Sequence, residues 1–118
     1  MKTVPDMLTD HTPNRPALDD LLAHAVADKL ERDLSLLHIP LENIDRWIAN
    51  GHTAPHRLEQ WRQIILRAQQ SPEGFRELLA LLRDRSEKTE RLREFAPFAG
   101  VLTATERLTL IRQCVYSH

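Results

Sequence analysis

The stretch Pro16-Ala17-Leu18-Asp19-Asp20-Leu21-Leu22-Ala23-His24-Ala25-Val26-Ala27-Asp28-Lys29-Leu30-Glu31-Arg32-Asp33-Leu34-Ser35-Leu36-Leu37 decides the fold class. Leu18, Leu21, Leu22, Ala25, Val26, Leu30, Leu34 and Leu37 recur at steps of three and four, the period of an α-helix. Asp19, Asp20, Asp28, Glu31, Arg32 and Asp33 fill the other face. The pattern predicts one long amphipathic helix that starts at Pro16, a residue suited to a first turn, and stops near His38. Asp19 and Asp20 favour the positive end of its dipole. Pro40 ends the helix, because it lacks an N–H and biases Ile39 towards an extended backbone.

Beyond Pro40 the same period continues in shorter pieces. Leu41, Ile44, Trp47 and Ile48 mark a second helix, closed by Asn50-Gly51, a pair that accepts the left-handed conformation. Thr53 can cap a third helix with Pro55 in its first turn and Leu58, Trp61, Ile64, Ile65 and Ala68 as its stripe. Ser71-Pro72 starts a fourth, carrying Phe75, Leu78, Leu79 and Leu82. From Arg83 to Glu94 nine of twelve residues are charged, which predicts a solvated helix laced with local pairs such as Glu87–Arg91. This run either continues the fourth helix or restarts at Ser86. Thr103-Ala104-Thr105-Glu106 matches a capping box, so a last helix starts at Ala104, with Leu108, Ile111 and Val115 on one side. With no alternating strand pattern, the expected fold is all-α: five or six helices, bundle-like or orthogonal.

At 118 residues, 42% hydrophobic and 28% charged, the chain has the size and composition of one soluble domain. Residues 1–15, rich in Pro, Thr, Asp and His, read as a flexible tail, and 16–118 as the domain. The expected core is Leu22, Val26, Leu30, Leu37, Ile44, Trp47, Leu58, Trp61, Ile65, Phe75, Leu79, Phe98, Leu108 and Ile111. A single cysteine, Cys114, allows no internal disulfide. No window approaches the roughly 18 apolar residues of a membrane span, and the first ten residues lack a signal-peptide core. A cytoplasmic protein without membrane attachment is expected.

The segment Asp33-Leu34-Ser35-Leu36-Leu37-His38-Ile39-Pro40-Leu41-Glu42-Asn43-Ile44-Asp45-Arg46-Trp47-Ile48-Ala49-Asn50-Gly51 resembles the helix-turn-helix of Cro/repressor-type DNA-binding proteins. Leu34, Leu37, Ile39, Ile44 and Trp47 stand where that pattern places core contacts, and the resemblance extends over residues 34–61. It implies DNA contacts from Asn43, Arg46 and Asn50, with Arg57 and Arg62 on phosphates. Charge argues the other way. Glu42 and Asp45 share the reading face, and residues 34–71 hold four arginines against three acids. Over the whole chain sixteen Lys and Arg meet seventeen Asp and Glu, without the excess of a dedicated nucleic-acid binder.

Catalytic and metal patterns are equally sparse. His52 and His56 are four apart, but Pro55 puts His52 outside the third helix, so with His38 they read as scattered surface histidines and no metal is expected. Cys114 and His118 have the spacing of a thiol and its base, but burial of Cys114 as a small hydrophobe is the simpler outcome. Three glycines leave little material for a phosphate loop, and no cofactor is expected. What remains is surface. The first-helix stripe, through Leu21 and Ala25, and the irregular apolar run Phe95-Ala96-Pro97-Phe98-Ala99-Gly100-Val101-Leu102, through Phe95 and Phe98, are the candidate partner faces. The core is expected to take Phe98 itself. The sequence thus points to a non-catalytic interaction module that binds another protein or a second copy of itself, with a DNA-binding regulator as the alternative.

Overall fold

The long first helix ends early, at Asp33. In the computed structural model, which describes residues 15–116 with side chains from 18 to 115, helix α1 runs Arg15–Arg32. Asp33 leaves the helical region at φ −151° and ψ 91°, and its carboxylate accepts the Ser35 N–H at 3.1 Å, capping a 3-10 turn over Leu34–Leu37. Helix α2, His38–Ala49, follows at once. Pro40 therefore stops nothing: it lies buried in the first turn of α2, where a missing N–H costs no hydrogen bond. The expected stop near His38, with Ile39 extended, is replaced by a break five residues earlier. Competition from the aspartate side chain explains the shift, because Asp hydrogen-bonds nearby backbone in non-helical conformations. The tail expected over residues 1–15 lies outside the described residues, apart from Arg15.

Helix α2 closes as its sequence requires, with Gly51 at φ +83°. Helix α3, Pro55–Gln70, has Pro55 in its first turn, but Thr53 is not its cap; Ala54 holds that place without a side-chain bond. Ser71 alone joins α3 to α4, Pro72–Arg83. Its N–H reaches back to the Arg67 carbonyl at 3.2 Å, and its hydroxyl accepts the Gly74 N–H at 3.0 Å. So short a link presses backbone on backbone. A Cβ on Gly74 would sit 2.3 Å from the Arg67 carbonyl oxygen, so only glycine fits.

The core fills the space between these helices. Leu58, Trp61, Ile65 and Ala68 of α3 meet Leu78, Leu79 and Leu82 of α4 and Val26, Ala27 and Leu30 of α1, with Leu37, Ile44, Phe98 and Val101 completing it. Each large side chain so buried stabilises the fold by roughly 1.5–3 kcal/mol. The indole N–H of Trp61, a residue with no exposed surface, donates to the Leu92 carbonyl at 2.8 Å.

The charged run divides. Helix α4 ends at Arg83, and after a break come a 3-10 turn, Glu87–Thr89, and a short helix α5, Glu90–Glu94. Its main pairs are long-range instead of local: Arg93 reaches Asp20 of α1 at 3.1 Å, and Arg83 reaches Asp28 and Glu31 at 2.6 and 2.8 Å. The expected Glu87–Arg91 pair is not among the ion pairs of the described residues. Most of the run is exposed, as expected of a solvated segment, and these bridges tie it to α1.

Helix α6, Ala104–Tyr116, starts with the expected capping box: the Thr103 N–H donates to Glu106 at 2.7 Å, and the Glu106 N–H to the Thr103 hydroxyl at 3.1 Å. Its orientation reverses the expectation. Leu108, placed in the core by its stripe, is 53% exposed, and Ile111 is only half-buried; Cys114 is the residue that packs inward. Leu22, Trp47 and Phe75 of the expected core are also half-buried. Among the described residues every regular element is helical.

Candidate interaction surfaces

The apolar run 95–102 does not hang free. Its backbone leaves the helical region and turns at Gly100, φ +93°, and its carbonyls need donors that a helix would have supplied. Asn43 provides them from α2: its amide nitrogen donates to the carbonyls of Pro97 at 2.9 Å and Ala99 at 2.8 Å. The Arg46 guanidinium in turn donates to the Asn43 side-chain oxygen. The clamp seats Phe98 edge-on against Trp61, ring centres 5.3 Å apart at 85°. Phe98, named as both a core and a partner residue, is thus a core residue: the clamp and the Trp61 ring draw it out of water. Phe95 stays half-buried, edge-on to His52, which stacks on Trp47 at 6.2 Å. The His52 Nδ1 accepts the Ala54 N–H at 3.0 Å, so its ring proton belongs on Nε2.

The residues expected to touch DNA are placed as follows. Asn43 is 4% exposed and faces the loop instead of a groove, a correction owed to the two loop carbonyls it must satisfy. Arg46 is held to it. Arg62 bonds Glu59 at 2.8 Å and Asp45 at 2.6 Å, and these hydrogen bonds, Glu59 first, raise its pKa further. Arg57 is bound to Gln60 at 3.1 Å. Asn50 is exposed at the end of α2. The cations of α2 and α3 are thus largely engaged with neighbours, and the field over Leu41–Asn50 is mixed. The turn that a helix-turn-helix needs at His38–Pro40 is occupied by the first turn of α2.

Among the described residues the histidines do not converge. His38 pairs with Glu42 at 2.9 Å in the open, His52 stacks on Trp47, and His56 is exposed on α3. Cys114 is buried.

A concavity among the described residues lies beside the 95–102 run, and Phe98 is part of its lining. A groove of about 690 Å³ opens between the first half of α1, the end of α4, α5 and the 95–102 loop. Leu22, Val26, Leu82 and Leu102 form its floor. Its rim mixes signs: Asp19, Glu90 and Glu94 against Arg85 and Arg107, with Asp20 bound by Arg93. Leu21 and Ala25, the partner candidates of α1, are half-buried and are not part of its lining. Sequence reasoning singled out the 95–102 run that forms one wall of the groove but missed the rest, because it joins residues up to 88 positions apart, from Asp19 to Arg107, which no local pattern links.

No curated protein and no solved structure shows a significant match to this chain. A family model described as Effector-associated domain 1 matches residues 7–99, which include the stretch resembling a helix-turn-helix and the elements from α1 to α5. That match takes in 93 of 118 residues, and the chain belongs to the Effector-associated domain 1 family.

Proposed function

We propose that the protein is a non-catalytic helical interaction module, a small adaptor or accessory subunit that acts in the reducing cytoplasm by presenting helical surface to another protein or to a second copy of itself. The observation that carries this reading is the groove beside α1, with its apolar floor and mixed-charge rim. Apolar area ringed by both signs suits a protein partner, because each rim charge finds a counterpart and the floor gains burial. The description of the family, effector-associated, fits a domain that works by association. The internal engagement of Arg46 and Arg62 favours protein over DNA, since binding a phosphate would first break bonds already made. Asp20 is held by Arg93 at 3.1 Å, which supports an adhesive rim over proton-transfer chemistry.

The test is affinity capture of the intact protein from cell extract, with and without nuclease, beside an Ala23→Arg variant that places a long side chain in the groove. Protein partners that survive nuclease and are lost with Ala23→Arg, at unchanged melting temperature, are expected. Partners that all vanish with nuclease would instead establish the DNA-binding regulator.

A further inference from the structure

Helix α6 wears its amphipathic pattern inside out. Leu108, Ile111 and Val115 lie at i, i+3 and i+7, one continuous ridge, yet Leu108 is 53% exposed and the other two are only half-buried. The side turned to α1 is the poorer one. It carries Thr105, Thr109 and Leu110 with the Glu106–Lys29 bridge at 2.7 Å, and an opening of about 300 Å³ remains between Leu110 and Ala25. No residue of α6 joins the main core cluster. The helical spacing puts Arg107 on one flank of the ridge and Arg112 on the other. Neither meets a carboxylate among the described residues, and Glu106, the one acid of the helix, is spent on Lys29. Helix α6 also lies beyond residue 99, where the family match ends.

We propose that this outer face of α6 is a second docking surface, which shares only Arg107 with the rim of the groove, and that its occupant is an amphipathic helix of another protein that carries carboxylates beside its apolar strip. Three apolar side chains at one-turn spacing form a ridge that fits the groove between side-chain rows of another helix. Two flanking cations without counter-charge select acids on that helix and reject a basic one. The body of the domain and α6 then hold different partners, and the module bridges them. This extends the reading of the protein as an interaction module to a surface that meets the groove at Arg107.

The test titrates the full chain with a designed peptide of about 18 residues, five helical turns, bearing a leucine strip flanked by glutamates, and with its twin in which lysines replace the glutamates. The acidic peptide is expected to bind at least about tenfold more tightly, with NMR shifts centred on residues 107–115. Leu108→Asp abolishes that binding; since Leu108 is exposed, the melting temperature stays put. The double variant Arg107→Glu with Arg112→Glu reverses the preference towards the lysine twin, a gain of binding that a misfolded protein could not show. Equal affinity for the two peptides overturns the proposal, as do shifts confined to groove residues other than Arg107. So does a concentration-dependent dimer that Leu108→Asp dissolves, which would make a second copy the occupant. The two readings fail separately: absence of any nuclease-resistant partner in the capture experiment removes the interaction module, whereas partners retained alongside equal peptide affinities remove only this surface.

Discussion

Helices α3 and α4 meet across one residue, with the backbone of Gly74 against that of Arg67, while α6 is tied to α1 by the Lys29–Glu106 ion pair and leaves an opening of about 300 Å³ beside Leu110. Both pairs contain leucine-rich amphipathic helices of similar length. In the first, the apolar side chains of each helix point at the other and exclude water. In the second, Leu108 of α6 stands in solvent and Ile111 and Val115 are only half-buried. The difference teaches that a hydrophobic stripe states only that one face of a helix prefers to be covered. Which body covers it is decided by the links at the helix ends. Ser71 leaves α4 no freedom to turn, whereas α6 is reached through the loop 95–103 and oriented by Glu106 on Lys29.

The contrast can be broken most severely at its tight end. Gly74→Val puts branched carbon against a carbonyl oxygen that cannot retreat, and is expected to cost more than about 5 kcal/mol, most of the stability of a small domain. Loss of the cooperative thermal transition checks it. The helix propensity gained on replacing glycine, about 1 kcal/mol, is far too small to compensate.

Phe98→Ala, in the loop that leads towards α6, should cost roughly 3–5 kcal/mol, because the ring fills the space beside Trp61. Melts at two protein concentrations read this as a shift independent of concentration. A variant that melts with the wild type would mean that the loop belongs to the α6 side of the comparison. Asn43→Ala strips donors from the Pro97 and Ala99 carbonyls and should cost about 1–3 kcal/mol, seen as a lower urea midpoint.

The smallest effect concerns α6 alone. The hydrogen bond from Lys29, with that from the Thr103 N–H, lowers the Glu106 pKa from 4.5 to about 2. A carboxyl depressed in the folded state contributes fully above its unfolded value, and the contribution is lost as pH falls from about 4.5 towards about 2. Over that window, hydrogen-exchange protection should fall in α6 more than in α3 and α4. Glu106→Gln should flatten the difference.

Much of this architecture was legible in local chemistry. Ser71-Pro72, Asn50-Gly51 and Thr103 with Glu106 act within a few residues of themselves, so their effects could be read from spacing. Asp33 was misread because it sits on the polar face of a good helical pattern, and the periodicity does not register that its side chain prefers to cap. The charged run was read as locally paired, whereas the acids that Arg83 and Arg93 meet lie on α1, more than fifty residues away. Asn43 looked like a surface reader since nothing local shows that two loop carbonyls will be buried above it. The groove was illegible for the same reason: its floor exists only after α1 and the loop have met.

The one-residue link at Ser71 also bears on how the chain finds its fold. Contacts between α3 and α4 span few positions in sequence, so the entropy lost in closing them is small, and they can form while α1 and the 95–102 loop are still open. The hairpin 55–83 is then expected to form first, with α1 closing onto it and α6 attaching last. Substitutions in the hairpin slow folding, and those where α6 meets α1 quicken unfolding instead, leaving the folding rate nearly untouched.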